Sequence, residues 1–446
     1  MPPWGPCVLD DALISRSDQA SEPTSPVAGV RIVVIGINFA PELTGIGPYT
    51  TEMCRQLSGA GALVHMVTGV PHYPSWSVSR HYRRRLLTTE SYGTASVTRA
   101  RHYVPRSQSS VKRACFEATF MASSHVAARR LDADVVLAVT PNLGALPVAA
   151  AVARRNAAPM GAIVQDLIGR AGKQSGIRGA SSAAALAGRL EARWLNAADS
   201  VGVISRDFVP PLLAAGLEER RVQYLPNYTH ITPDPRGQAA SRRALGWPVD
   251  GFYVVHTGNM GLKQDLGNVV ATARLAEARG SQVRFVFVGD GSQRRVLEEA
   301  SVDVRCVSVV PPLHEAQYPT ALAAADVLLV NERATVIDMS LPSKLTSYLA
   351  AGRPVVAAVH VGGATAQEVN RSGGGLVTAA GNPAALLDAL DLLAGDESLR
   401  RTLAAAGSNY AKEHLSSRSA EERMIRFVAE LVGRERRFPS ASHGGG

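Results

Sequence analysis

A chain of 446 residues is long enough for two or more domains, each with its own core. Hydrophobic residues at 46% and charged residues at 19% fit a soluble globular class, and a net charge of +9 points to anionic partners. Nucleic acid is the weakest of these, because aromatic residues make up only 5% and no recognition-helix, zinc-finger or RNA-binding signature is present. Nucleotides and phospholipid headgroups remain. Cys7, Cys54, Cys115 and Cys306 lie far apart with no CxxC pair, which excludes a disulfide framework or structural zinc site and fits a reducing compartment.

Residues 1–29 lack a basic stretch followed by an apolar core, so no signal peptide is expected, and their Ser/Pro/Asp content predicts a floppy tail. Val30–Ile37 is a β-branched apolar run, the pattern of a first parallel strand buried on both faces. The loop NFAPELTGIGPYT follows, then a helical pattern from Thr51, then a strand at Val64–Thr68: one βαβ unit. Gly45 and Gly47 in that loop let backbone approach a ligand, though the spacing is not GxGxxG and a dinucleotide site is not expected.

Residues 70–113 read as irregular and strongly basic, with HYRRR at 81–85 and RARHYVPR at 99–106, and a mixed apolar and basic helix is expected over 112–130. This region is either a solvated surface loop followed by a core-facing helix or a contact for anionic headgroups and a lipid-linked acceptor. Val135–Ala153 is uncharged over about the length of a membrane span, but Thr-Pro-Asn and a second proline make it a strand, a turn and a helix start. Further strands are predicted at 134–139, 161–165, 200–204 and 222–225, and helices at 186–197 and 208–215. The first α/β domain is therefore 30–228.

A polar, Pro-bearing linker at 229–249 precedes a second alternating set at 250–412. Its strands are predicted at 252–256, 283–288, 304–309, 326–330, 354–358 and 375–377, with helices at 266–279, 294–300, 316–324, 343–351, 383–393 and 397–412. A helix at 413–435 is expected to pack back on the first domain, before a disordered tail at 436–446.

The fold class is thus α/β, two Rossmann-like doubly wound domains facing across a cleft. In such sheets ligands sit at the C-terminal strand ends. In the second half those ends carry Gly258-Asn259-Met260-Gly261 with Lys263, Gly289-Asp290-Gly291, a turn containing Leu313, and Pro342-Ser343-Lys344. In the first half Gln165-Asp166 ends a strand, where Asp166 either orients an acceptor hydroxyl or caps a turn. Asp132-Ala133-Asp134 matches a D-x-D metal clamp but starts a strand, the wrong end for the cleft. The eleven histidines show no metal-ligand spacing, and His256, at a strand end, reads as structural.

On PELTGIGPYT, NMGLKQDL, FVGDGSQR, PLHEAQYPTALAAADVLLV and LPSKLTSYLAAGRPVVAA, in this order over about residues 30–410, the chain resembles the GT-B-fold family 4 glycosyltransferases, most closely the subgroup that builds colanic acid and O-antigen units. The resemblance implies sugar transfer from a nucleotide-diphosphate donor with retained configuration, no bound metal and no cofactor. It implies that Lys263 grips the donor diphosphate and that Lys344 is a second cation. The family's usual arginine is replaced by Asn259, and its Glu-x7-Glu pair falls on Met339 and Ser347. Ser347 then either substitutes at the donor ribose or that contact is lost, and Asp338, beside Met339, is either a donor-sugar contact or a loop aspartate. A lipid-linked or cell-envelope glycan acceptor and a peripheral place on the cytoplasmic face of the membrane follow as expectations. The alternatives are a nucleotide-sugar 2-epimerase of the same fold and a non-catalytic nucleotide-sugar-binding scaffold.

Overall fold

A computed structural model describes residues 25–42, 45–73, 76–105, 109–167, 180–229, 231–337 and 341–433. The first half forms an eight-stranded sheet from β1 (Arg31–Ile35), β2 (Leu63–Gly69), β3 (Leu87–Tyr92), β4 (Ala95–Ala100), β5 (Val135–Val139), β6 (Met160–Val164), β7 (Ser200–Val203) and β8 (Val222–Tyr224). Its order is β3-β4-β2-β1-β5-β6-β7-β8, and every pairing except β3 with β4 is parallel. The second half forms a six-stranded parallel sheet from β9 (Phe252–Asn259), β10 (Val283–Asp290), β11 (Val307–Val310), β12 (Val327–Asn331), β13 (Val355–Val359) and β14 (Gly375–Ala379), in the order β11-β10-β9-β12-β13-β14.

Both sheets are doubly wound, as their unbroken apolar strands require: the central strands β1, β5, β6, β12 and β13 are buried almost throughout. The winding reverses between β1 and β5 in one sheet and between β9 and β12 in the other. At such reversals the loops diverge and leave a crevice, so these two places fix where ligand chemistry can occur.

Three elements depart from the sequence expectation. The stretch at 70–113 is not wholly irregular: β3 and β4 form an antiparallel hairpin about Gly93, whose φ of +56° suits glycine. Two of its basic-patch residues turn inward. Arg99 is buried, paired with Glu90 and donating to the Ala40 carbonyl at 2.6 Å, and His102 is buried among Phe116 and Phe120. The exposed arginines among the described residues of this stretch are Arg80, Arg83, Arg84, Arg85 and Arg101, beside exposed Leu86 and Tyr103. The linker holds a helix, Gln238–Ala244, anchored by Arg242 on Asp326, and a further helix, Ala364–Ser372, precedes β14.

The helix Ser417–Val432 lies against the first sheet. Phe427, Val428 and Leu431 are fully buried with Ile32, Val34 and Leu137. Gly161 in β6 permits that approach, since a Cβ there would stand 2.8 Å from Leu431 and 2.9 Å from Phe427. Asp134 accepts from the Arg31 guanidinium at 2.7 Å and Asp132 from Arg155 at 3.3 Å, so the D-x-D pair braces the far end of the sheet.

Candidate active site

The turn after β9 is shaped by the absence of side chains. Gly258 pairs with Gly289 across β9 and β10, and a Cβ on Gly289, at φ +147°, would lie 2.0 Å from the Gly258 carbonyl oxygen. The two strand ends can close only with glycine. The Asn259 amide then occupies the room left by Gly261 and Gly291, where added Cβ atoms would fall 2.9 Å from its Nδ2 and 2.7 Å from its Oδ1.

Beneath this turn sits Lys344, the first residue of the helix Lys344–Ala350. A Cβ on Gly258 would touch Lys344 Cε at 3.9 Å and Nζ at 4.0 Å, and Nζ lies 3.1 Å from Nε2 of buried His256. Burial pushes Lys344 down to about 7, opposed by the negative charge of Glu332. Glu332 follows β12 directly, accepts from Thr365 Oγ1 at 2.8 Å, and is pushed up to about 6 by burial against the pull of Thr365, Lys344 and Lys263.

Lys263 is exposed in the short turn Leu262–Gln264, whose backbone is tied down by the Arg333 N–H donating to the Lys263 carbonyl at 2.9 Å. Its charge acts on Glu332 and, across the cleft, on Asp166 at the end of β6. Asp166 is pushed up to about 7, chiefly by burial, with Lys263 opposing and Glu191 reinforcing the shift. The cleft therefore joins two cations from one domain to a carboxyl from the other.

Hydroxyl groups line the back of this crevice. The Thr257 N–H donates to Tyr348 Oη at 2.8 Å, and the Thr257 hydroxyl stands 3.0 Å from both the Tyr348 and Tyr318 hydroxyls. Ser347 is buried beside Tyr318. Ser343 and Thr346 lie near the Tyr49 hydroxyl of the first domain, and Leu341 packs against the cores of both domains. Arg371, which also pairs with Glu368, meets Asp207 of the first domain at 3.4 Å.

On the first-domain side, Glu42 organises the glycine loop. Its buried carboxylate accepts from Asn38 Nδ2 at 2.8 Å and from the His72 and Tyr73 N–H groups at 2.9 Å each. Gly45, at φ +71°, faces Tyr73, and Gly47 is pressed on Glu42, where a Cβ would stand 3.0 Å from the Glu42 carbonyl. Leu313 is half-buried against the core under β9. Asp338 lies outside the described residues.

Lys263, Lys344, Asp166 and the β9 and β10 glycines thus come together as the strand-end rule requires. Glu332, His256, Tyr49, Tyr318 and Tyr348 were not foreseen as parts of the site. Glu332 carried the same signal as Asp166, a carboxylate directly after an apolar strand; the tyrosines carried none, because helical periodicity marks them as core.

The architecture matches known structures over its length. Sucrose-phosphate synthase from Thermosynechococcus elongatus superposes with a TM-score of 0.71 at 18% identity, covering 91% of this chain and 99% of that one. HepE from Anabaena, solved in complex with UDP-glucose, superposes with a TM-score of 0.62 at 17% identity, covering 90% and 100%. Two parallel α/β domains with a charged cleft between them define the class: this is a GT-B fold. Residues 44–228 match the profile described as "Glycosyl transferase 4-like domain", and residues 251–396 that described as "Glycosyl transferases group 1". WcaI of Escherichia coli K12, described as a colanic acid biosynthesis glycosyl transferase, is 32% identical over 339 residues, 72% of this chain and 82% of that protein. The chain belongs to the family 4 glycosyltransferases.

Proposed function

We propose that the protein transfers a sugar from a nucleotide-diphosphate donor to a lipid-linked or other cell-envelope glycan acceptor, with retention of configuration. The observation that carries this reading is the convergence of Lys344 and the β9 turn, with Lys263 set between Glu332 and Asp166. The envelope assignment rests on the likeness to WcaI, and the nucleotide-sugar donor on the likeness to the UDP-glucose complex of HepE.

In this mechanism the two lysines meet the donor diphosphate and offset the charge that grows on it as the sugar departs. Preorganised cations in a partly dry crevice stabilise that charge more than water does. Asp166 orients the acceptor hydroxyl, which attacks from the face the diphosphate leaves; the hydroxyl proton passes to the leaving phosphate. No protein nucleophile is required. Asn259 stands where relatives carry an arginine, so donor grip falls more heavily on the lysines. Asp338 is the remaining candidate for donor-sugar contact and Ser347 for contact with the donor ribose. Exposed Arg83, Arg84, Arg85 and Arg101, with Leu86 and Tyr103, suit a cytoplasmic membrane face bearing anionic lipid. Among the described residues no helix is long and apolar enough to cross a membrane.

A nucleotide-sugar panel tested by thermal shift, followed by transfer to a lipid-linked acceptor and determination of the product's anomeric configuration by NMR, tests the reading. Binding without transfer favours a scaffold. Asp166, Glu332 and His256 also give the 2-epimerase reading the carboxyl groups and imidazole it needs. However, His256 is buried against Lys344 and unavailable for acid–base exchange with a sugar. Epimerised nucleotide-sugar formed without an acceptor would select that alternative.

A further inference from the structure

His256 lies in β9, two residues before Gly258, with its ring fully buried and 6.0 Å from that of Phe287. Its Nε2 is 3.1 Å from Lys344 Nζ. An ammonium has three donors and no acceptor, so the imidazole must accept, which requires Nε2 to be unprotonated. Burial first, and then the Lys344 charge, hold His256 well below its ordinary value, consistent with a ring that stays neutral.

The other charged and titratable groups around Lys344 are few. Glu332 after β12 is engaged by Thr365, and Lys263 acts on that same carboxylate. Tyr49 from the first domain lies near Ser343 and Thr346, while Tyr318 and Tyr348 are committed to Thr257. Among the described residues no carboxylate forms an ion pair with Lys344; its close polar partner is His256.

We propose that His256 is a positioning residue for donor binding: it fixes Lys344 beneath the Gly258 turn as a hydrogen-bond acceptor, and binding of the donor diphosphate completes the charging of that lysine by uptake of a proton from solvent. The inference rests on the reading that Lys344 meets the donor diphosphate. With Lys344 pushed down to about 7 in the empty site, part of the population carries no charge just above neutrality. An arriving diphosphate favours the ammonium. Because one lone pair of the neutral imidazole already holds Nζ, the added proton leaves the cation aimed rather than free to swing.

The experiment uses the full chain and a panel of UDP-glucose, GDP-mannose and dTDP-rhamnose, whose diphosphate diesters have no proton titrating near neutrality. With the tightest binder, calorimetry in two buffers of different ionisation enthalpy at pH 7.5 should show net proton uptake, smaller at pH 6. His256→Leu should weaken binding about 10-fold at pH 7.5, the loss expected for a hydrogen bond to a charged group, and less at pH 6. His256→Gln, whose amide oxygen reaches the place of Nε2, should restore it. Absence of proton uptake by the native protein, or unchanged binding by His256→Leu at pH 7.5, overturns the proposal. So does a loss equal at both pH values that glutamine does not repair. Should the leucine variant fail to fold, the two-buffer measurement on the native chain decides. If none of the three nucleotide-sugars binds the native protein, the donor reading fails and this inference with it. If one binds and Lys344→Met weakens it while His256→Leu does not, only this inference falls.

Discussion

The two domains share one architecture and put opposite charges at its crevice. In the first, the loop after β1 is built around Glu42, whose carboxylate is buried and answered by three N–H groups, and Asp166 closes β6. In the second, the corresponding strand ends deliver Lys263 and Lys344, with Glu332 behind them. Both domains are doubly wound, so the fold sets where chemistry happens; the residue after each strand sets what it is. The first domain offers acceptors for hydroxyl groups. The second holds Lys344 where charge is costly, a cost that an anionic ligand offsets.

The largest expected effect that breaks this contrast is Lys263→Ala. Removal of a preorganised contact to developing charge should lower kcat/KM about 10²-fold, measured by transfer from the cognate nucleotide-sugar. Unchanged turnover would remove Lys263 from the diphosphate site.

On the other side of the cleft, Asp166→Asn should lower kcat by roughly 10-fold with little change in donor affinity, as for a lost orienting contact. The pH profile sharpens the point. In the proposed mechanism Asp166 acts ionised, so activity should climb as pH rises through about 7. Lys344 is needed charged, so binding should weaken as pH rises beyond about 7. The product is a bell centred near neutrality whose acid limb disappears in the asparagine variant. A preserved acid limb would assign it to another group.

At the β9–β10 turn glycine is required by close backbone approach. Gly289→Ala should destabilise the protein by about 2 kcal/mol or more, because the Cβ would collide with the Gly258 carbonyl, as read by chemical denaturation. Gly93→Ala, where nothing stands within 4 Å of the new Cβ, should cost about 1 kcal/mol from its positive φ alone. Equal losses at both sites would mean that crowding at the donor turn is relieved by backbone movement.

Stability against pH separates the halves more gently. Lys344 has a folded value below its unfolded one, so its charged form is penalised in the native state below about 7, and the penalty fades towards pH 10.5. Asp166 has a raised folded value, so its penalty is absent in acid and full above about 7. Lys344→Met should therefore raise Tm by a few degrees at pH 7 while abolishing donor binding, the usual exchange of stability for function. A lowered Tm would show that Lys344 supports the fold.

Smallest is the surface effect. Glutamate at Arg83 and Arg84 should abolish salt-sensitive sedimentation with anionic vesicles and leave transfer to a soluble acceptor within about twofold, since screening confines exposed charges to short range. Salt-insensitive binding would point to Leu86 and Tyr103 instead.

What the sequence determined by itself follows from local physics. Continuous apolar runs such as RIVVI and VVAAV must be buried on both faces and so predict parallel strands; glycines and a lysine after VVHT predict an anion-facing turn. The placement of Lys263 and Lys344 near Glu332 follows strand-end and turn patterns that the sequence displays. The hairpin β3–β4 was not, because its charged residues mask the alternation and Arg99 is satisfied by Glu90 and Ala40, partners nine and 59 positions away.

Only the tertiary structure decided which polar groups are buried together. His256 reads as structural until Lys344, 88 residues later, is seated 3.1 Å from its ring. That Ser347 is buried beside Tyr318 is likewise not visible in the helix pattern. The helix Ser417–Val432 joins a core begun at Ile32 because hydrophobic area is indifferent to chain order. Strand patterns are set by neighbours in sequence, whereas the protonation and reach of Lys344, Glu332 and Asp166 are set by desolvation and charge from residues that only folding brings near.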